Sequence, residues 1–163
     1  METRNSSIYR IGFIKASWHA ETVDQALLGF KSEISDHTVD VVDVPGAFEL
    51  PLAARKMAKT GRYDAIVCAA LVVDGGIYRH EFVAATVVEG LMRVGLETDV
   101  PILSVSLTPH HYHEAGPQRE FFHDHFVKKG KEAASAVLGV LEAHARIEAL
   151  ATDIGMAEGA RAA

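Results

Sequence analysis

The sequence of 163 residues predicts an α/β fold built on a parallel sheet, and three observations lead there. Strand-like apolar stretches alternate with helix-like stretches along the chain, an order that pairs strands in parallel and lays helices over both faces. One strand candidate, residues 65–73, is apolar almost throughout, as a strand covered on both sides must be. Glycines, prolines and unusual polar residues gather just after the strand candidates, on the rim where such sheets hold their ligands.

The elements follow in order. Residues 8–15 (IYRIGFIK) combine apolar and β-branched side chains between Ser6-Ser7 and Ala16-Ser17, and make a strand. Over residues 19–34, Val23, Ala26, Leu27, Phe30 and Ile34 recur at three- and four-residue spacing, which sets them on one helix face. Residues 39–44 (VDVVDV) are a second strand, broken by Pro45-Gly46. Residues 47–59 form a helix ended by Gly61. After strand 65–73, Asp74-Gly75-Gly76 turns the chain into a helix over residues 79–96 with Val83, Val87, Leu91 and Val94 as its buried stripe. Pro101 opens the fourth strand, residues 102–107 (ILSVSL), which stops at Thr108-Pro109. A polar, His-rich connection leads to a long helix from about residue 118 to about 149, and residues 152–163 are expected to fray. No repeat or low-complexity block intervenes, and the length suits one domain over residues 1–163 with its core in residues 8–150.

Composition narrows the function. With 16 Lys+Arg against 22 Asp+Glu, the net charge is −6, which repels phosphate backbones and argues against generic nucleic-acid binding while leaving a local basic patch open. The single cysteine, Cys68, excludes an internal disulfide framework and suits a reducing compartment. The apolar run of residues 65–73 is about half of the ~20 residues a membrane span needs. Residues 1–7 are polar and lack the apolar core of a signal peptide. A soluble cytoplasmic protein is the expectation.

Four rim segments carry candidate chemistry. Trp18, the only tryptophan, directly follows a strand end. It either caps the core or offers a stacking platform for a flat heterocycle. In the turn Pro45-Gly46-Ala47-Phe48-Glu49, glycine permits close backbone approach, and the free N–H groups of the first helical turn can bond acceptor oxygens. Glu49 there is explained by the helix dipole alone, or it accepts hydrogen bonds from the hydroxyls of a polyol. Gly75-Gly76 before a helix exposes N–H groups to an anion, a common feature strengthened here by Arg79 and His80. The permanent charge of Arg79 suits stabilisation of a phosphate or oxyanion, whereas an imidazole such as His80 suits proton transfer. Which of the two faces the ligand depends on the helix phase. The fourth segment holds His110, His111, His113, His123 and His125, five of the nine histidines. Their spacings match no standard zinc signature, so no metal is expected. The segment reads as a polar rim or subunit contact, with phosphate binding by His123 or His125 as the functional alternative.

With these segments in view, the chain resembles the 6,7-dimethyl-8-ribityllumazine synthase family from residue 8 to about residue 150. The most specific match is Val44-Pro45-Gly46-Ala47-Phe48-Glu49, followed by Arg62-Tyr63-Asp64-Ala65-Ile66-Val67 and Leu71-Val72-Val73-Asp74-Gly75-Gly76. The resemblance implies a flavodoxin-like three-layer sandwich with a four-stranded parallel sheet. It implies condensation of 5-amino-6-(D-ribitylamino)uracil with 3,4-dihydroxy-2-butanone 4-phosphate in riboflavin biosynthesis, releasing phosphate and water, without metal or organic cofactor. By the same resemblance Trp18 stacks on the pyrimidine. Ala47, Phe48 and Glu49 hold the ring and ribityl chain, and Leu71, Val72 and Val73 give backbone contacts to the uracil. Gly76 and Ile77 supply phosphate-binding N–H groups.

The chain departs from the family pattern in three places. The family's proton-donating histidine aligns with Arg79, and His80 follows it. Ser104 stands where many members carry a phenylalanine that encloses the ring from a neighbouring subunit. The stretch 113–129 replaces the family's Gly-Thr-Lys-Ala-Gly-Asn-like segment, with Arg119, His123, His125 and Lys129 as its cations and His125 nearest the family's lysine. The resemblance further implies a homo-oligomer of pentamers, and the longer His-rich connection favours a decamer of two pentamers over a sixty-subunit shell. Two other readings are a flavin- or lumazine-binding module, for which Trp18 and the small Ser104 leave room, and a flavodoxin-like signalling or nucleotide-binding domain.

Overall fold

The computed structural model describes residues 8–76, 79–109 and 117–161. The strands are β1 (Arg10–Ala16), β2 (Thr38–Val44), β3 (Ala65–Leu71) and β4 (Ile102–Leu107). The helices are α1 (Ala20–Glu33), α2 (Leu50–Ala58), α3 (His80–Thr98) and α4 (Pro117–Arg161), with a short 3₁₀ turn at Ala47–Glu49 leading into α2. All pairings are parallel and the order is β2-β1-β3-β4, so the expected α/β sandwich with four parallel strands is what forms.

Alternation along the strands divides the core in two. Ile11 and Phe13 of β1 and Val67, Ala69 and Leu71 of β3 face α1 and α4, meeting Val23, Phe30, Phe126 and Val137. Ile14 and Ala16 with Ile66, Cys68 and Ala70 face α2 and α3, meeting Leu50, Ala54, Val87, Leu91 and Val94. β3 is buried at every position, as its unbroken apolar sequence requires. The stripes read from helical spacing are the ones that pack: Val23, Ala26 and Phe30 on the first helix with Ile34 at its C-cap, and Val87, Leu91 and Val94 on the third. Leu27 and Val83 are half-buried at the margins of these cores.

α1 and α4 cross backbone to backbone. A Cβ on Gly29 would lie 2.0 Å from the Val127 carbonyl oxygen, and one on Gly130 would lie 2.0 Å from that of Ala26. Only a pair of residues without side chains lets the helices approach this closely.

Several boundaries move. β1 starts at Arg10 rather than residue 8 and runs to Ala16, and β3 ends at Leu71, two residues before its apolar run does, with one further bond to β4 from the Val72 N–H to the Leu107 carbonyl. The helix expected over residues 47–59 opens as a 3₁₀ turn, because Pro51 in the first turn of α2 has no N–H to give and resets the hydrogen-bond register. Arg79 does not begin the third helix; it is the extended residue before it, at φ −77° and ψ 95°. α4 runs to Arg161, past the end near residue 149 read from the apolar pattern, across a segment rich in alanine and free of proline. Among the described residues, no helix is long and apolar enough to cross a membrane.

Candidate active site

The strand order reverses between β1 and β3: the chain leaves β1 for β2 on one side and returns to β3 on the other. Connections diverge at such a point and leave a crevice beyond the carboxyl ends of the two strands. A cleft of about 400 Å³ lies there, floored by Ala16 at the end of β1 and by Leu71, Val72 and Val73 at the end of β3. Trp18, Ala47, Phe48, Gly75, His80 and Val83 complete its walls together with His19.

Local structure explains why these groups converge. The β1–β2 ladder continues past both strands, with the Ser17 N–H donating to the Val44 carbonyl at 2.7 Å and the Trp18 N–H donating to the Pro45 carbonyl at 3.0 Å. The next residue, His19, adopts a left-handed conformation at φ 57°, uncommon without glycine, and reverses the chain into α1. The Trp18 indole is thereby laid against the following turn. A Cβ built on Gly46 would fall 2.6 Å from its ring, so the glycine is the seat of the indole. Trp18 remains 66% exposed and Phe48 64%, two aromatic faces open at the mouth of the cleft. Glu49 is committed locally: its carboxylate accepts the Gly46 N–H at 2.8 Å, which ties the turn to its helix.

On the opposite wall the uncertainty about helix phase is resolved geometrically. The His80 side chain, only 12% exposed, lines the cleft, and its Nδ1 lies 3.7 Å from a Glu81 carboxylate oxygen. The Arg79 guanidinium instead sits 4.4 Å above the Phe82 ring, a cation–π contact. Gly75 lines the cleft, whereas the Gly76 N–H donates to the Asp74 carboxylate at 2.8 Å, with Gly76 at φ 77°. Ile77 lies outside the described residues, as do His110, His111 and His113.

The structure therefore gathers Trp18, Ala47, Phe48, Leu71, Val72, Val73 and His80 into one crevice. It does not bring Ser104 or His125 to that crevice within one chain. Ser104 is exposed midway along the edge strand β4, and His125 stacks on Phe121 near the start of α4, with ring centroids 5.8 Å apart and planes 10° apart. Ala16, His19 and Val83 were not singled out from the sequence. Ala16 was read only as the boundary after the first strand and Val83 only as part of a buried stripe, and nothing but its neighbour Trp18 pointed to His19. Among the described residues, no group of three or more His, Cys, Asp and Glu side chains is placed to hold a metal ion. Cys68 does not contribute either: burial pushes its thiol pKa up and keeps it protonated.

The comparisons with known proteins converge on one family. The family model for 6,7-dimethyl-8-ribityllumazine synthase matches residues 8–145. A 6,7-dimethyl-8-ribityllumazine synthase of Rhodococcus erythropolis is 61% identical over 133 residues, covering 78% of this chain and 86% of that one. Proteins named 6,7-dimethyl-8-ribityllumazine synthase 2 are 53% identical in Pseudomonas syringae pv. tomato and 50% identical in Bradyrhizobium diazoefficiens. These two cover 81% of this chain each, and 81% and 82% of their own lengths. The matched span of residues 8–145 runs from before β1 into α4, taking in every residue that lines the cleft, and on the strength of that match and these identities the chain belongs to the 6,7-dimethyl-8-ribityllumazine synthase family.

Proposed function

We infer that this protein condenses 5-amino-6-(D-ribitylamino)uracil with 3,4-dihydroxy-2-butanone 4-phosphate to give 6,7-dimethyl-8-ribityllumazine, phosphate and water. The observation that carries the reading is the convergence of Trp18, Phe48, the β3 end and His80 on one crevice at the strand-order switch, in a chain of this family. The crevice is apolar with few polar groups, the lining that fits a flat heterocycle.

In this reading the pyrimidine lies against the Trp18 indole, with its edge on the main chain of Leu71, Val72 and Val73. The ribityl chain runs over the Ala47-Phe48 turn. Glu49 acts by holding that turn closed and offers its remaining lone pairs to hydroxyls. The phosphate of the second substrate sits at the start of α3, on the N–H groups of Gly76 and Ile77. It displaces the Asp74 carboxylate from Gly76, and Arg79 swings off Phe82 to meet it. The amine then attacks the ketone, an imine forms, phosphate leaves, and the ring closes on the second carbonyl. His80, facing into the crevice, moves the protons. Because the substrates bring their own nucleophile and leaving group, most of the acceleration comes from holding them in register.

Two features support a site shared between subunits. Trp18 and Phe48 present open aromatic faces, and a second, larger apolar groove of about 740 Å³ runs along α3, β4 and α4 beside the exposed Met92 and Leu96. Pentamers, paired into a decamer, would cover such surfaces and bring His125 and the Ser104 strand of a neighbour toward the crevice. The lone, buried Cys68 fits a cytoplasmic setting.

The test is direct. The purified protein mixed with both substrates should generate the fluorescent lumazine and release one phosphate per product. No product above the spontaneous rate would refute the assignment.

A further inference from the structure

We propose that Lys15 is a positioning residue for the pyrimidine substrate, acting through Trp18 by clamping the β1–α1 turn to the neighbouring strand. The proposal rests on the reading of the crevice given above and adds to it a group on the far side of the sheet.

Lys15 is the penultimate residue of β1, and its side chain projects away from the cleft, onto the face covered by α1 and α4. Its ammonium reaches two carboxylates on two different elements. Asp24, in the second turn of α1, is 2.8 Å away, and Asp43, its register partner on β2, is in direct contact. The Lys15 side chain is 12% exposed, while both aspartates are about half exposed. A cation drawn beneath the chain between two anions is a three-point brace rather than a solvated surface pair. Partial burial alone would lower the pKa of this ammonium, but hydrogen bonds to Asp24 and then Asp43 outweigh it, and the net direction is upward.

The brace closes on the segment that matters. Lys15 and Asp24 bracket the turn holding Trp18 and His19, so their ion pair fixes where α1 begins relative to β1. The Asp43 arm fixes β1 against β2, from whose end the Val44 and Pro45 carbonyls hold the Ser17 and Trp18 N–H groups. The indole itself packs on Gly46 but is otherwise open, so its orientation is set by the backbone that carries it. A stacking surface works only if its plane is held in place, and bonds outside the contact set commonly do the holding.

Trp18 is the only tryptophan, so its fluorescence reports this one turn. Lys15→Met should raise the dissociation constant for 6,7-dimethyl-8-ribityllumazine, followed by quenching of that emission, about tenfold, and KM for the pyrimidine by a similar factor. KM for the butanone phosphate should stay within about twofold, because its site lies across the cleft on α3. Lys15→Arg should restore most of the affinity. Asp24→Asn, which removes one half-exposed arm, should reproduce a weaker form of the effect, and it carries the test if Lys15→Met does not fold. A folded variant whose two KM values are unchanged, or rise together, would overturn the proposal. Loss of turnover by the wild-type protein would instead strike the reading of the crevice, so the two failures are distinguishable.

Discussion

One residue without a side chain controls the indole. Gly46 is extended, so its backbone conformation is open to any residue; what excludes a side chain is the Trp18 ring 2.6 Å from where a Cβ would stand. Gly46→Ala should therefore push the indole off the turn, shift tryptophan emission, and weaken lumazine binding about tenfold while far-UV dichroism stays native. Unaltered affinity would mean that the ring's position is immaterial. Arg79 and His80, adjacent in sequence, part company in space, one over Phe82 and the other in the cleft. His80→Ala should cut kcat by about 100-fold or more. Arg79→Ala should chiefly raise KM for the butanone phosphate, as expected where a charge binds rather than reacts. Steady-state rates across both substrates decide this, and wild-type behaviour in both variants would remove the segment from the mechanism. Sequence could frame the choice between these two residues but not make it, since it turned on whether the helix begins at 79 or 80. His19 left no trace at all, because a left-handed φ on a residue other than glycine has no signature in composition or periodicity.

Among the elements, α1 is held twice, by the Lys15–Asp24 pair near its start and by the Gly29–Gly130 crossing with α4 further on. Gly130→Ala would drive a methyl group into the Ala26 carbonyl, which cannot move without breaking a helical turn. A loss of about 1–3 kcal/mol is expected, read as a lower urea midpoint. If the midpoint holds, the helices have room to part. What was legible at this level follows from burial. The spacing of Val23, Ala26, Phe30 and Ile34 and the solid apolar run of β3 are records of what each element hides, and both stand in the structure. The ends of elements record hydrogen bonding instead, which apolar pattern does not report. Val72 and Val73 look like strand because they are apolar, but β3 ends at Leu71, and past the last bond to β4, from the Val72 N–H to the Leu107 carbonyl, the chain turns to line the cleft. Pro51 was visible in the sequence, yet its effect on the helix start is a matter of N–H count rather than hydrophobicity.

The assembled chain carries more apolar surface than one copy can use. Met92, Leu96, Phe121, Ile147 and Leu150 are all exposed, and the larger groove beside α3, β4 and α4 is mostly apolar. Sedimentation should give the mass of five or ten chains, and Leu96→Glu should shift it to smaller species. A mass near sixty chains would overturn the proposed decamer. Sequence did not mark the surface such an assembly would use, because helical periodicity marks Leu91 as buried and is silent on what Leu96 meets. The close crossing of α1 and α4 at Gly29 and Gly130 has a mechanical consequence. From Gly130 to Arg161, α4 extends roughly 46 Å, so a tilt of about 10° at this pivot sweeps its tip through about 8 Å. The crossing thus works as the fulcrum of a lever, and a change of one methyl group at its base is enough to re-aim the whole arm.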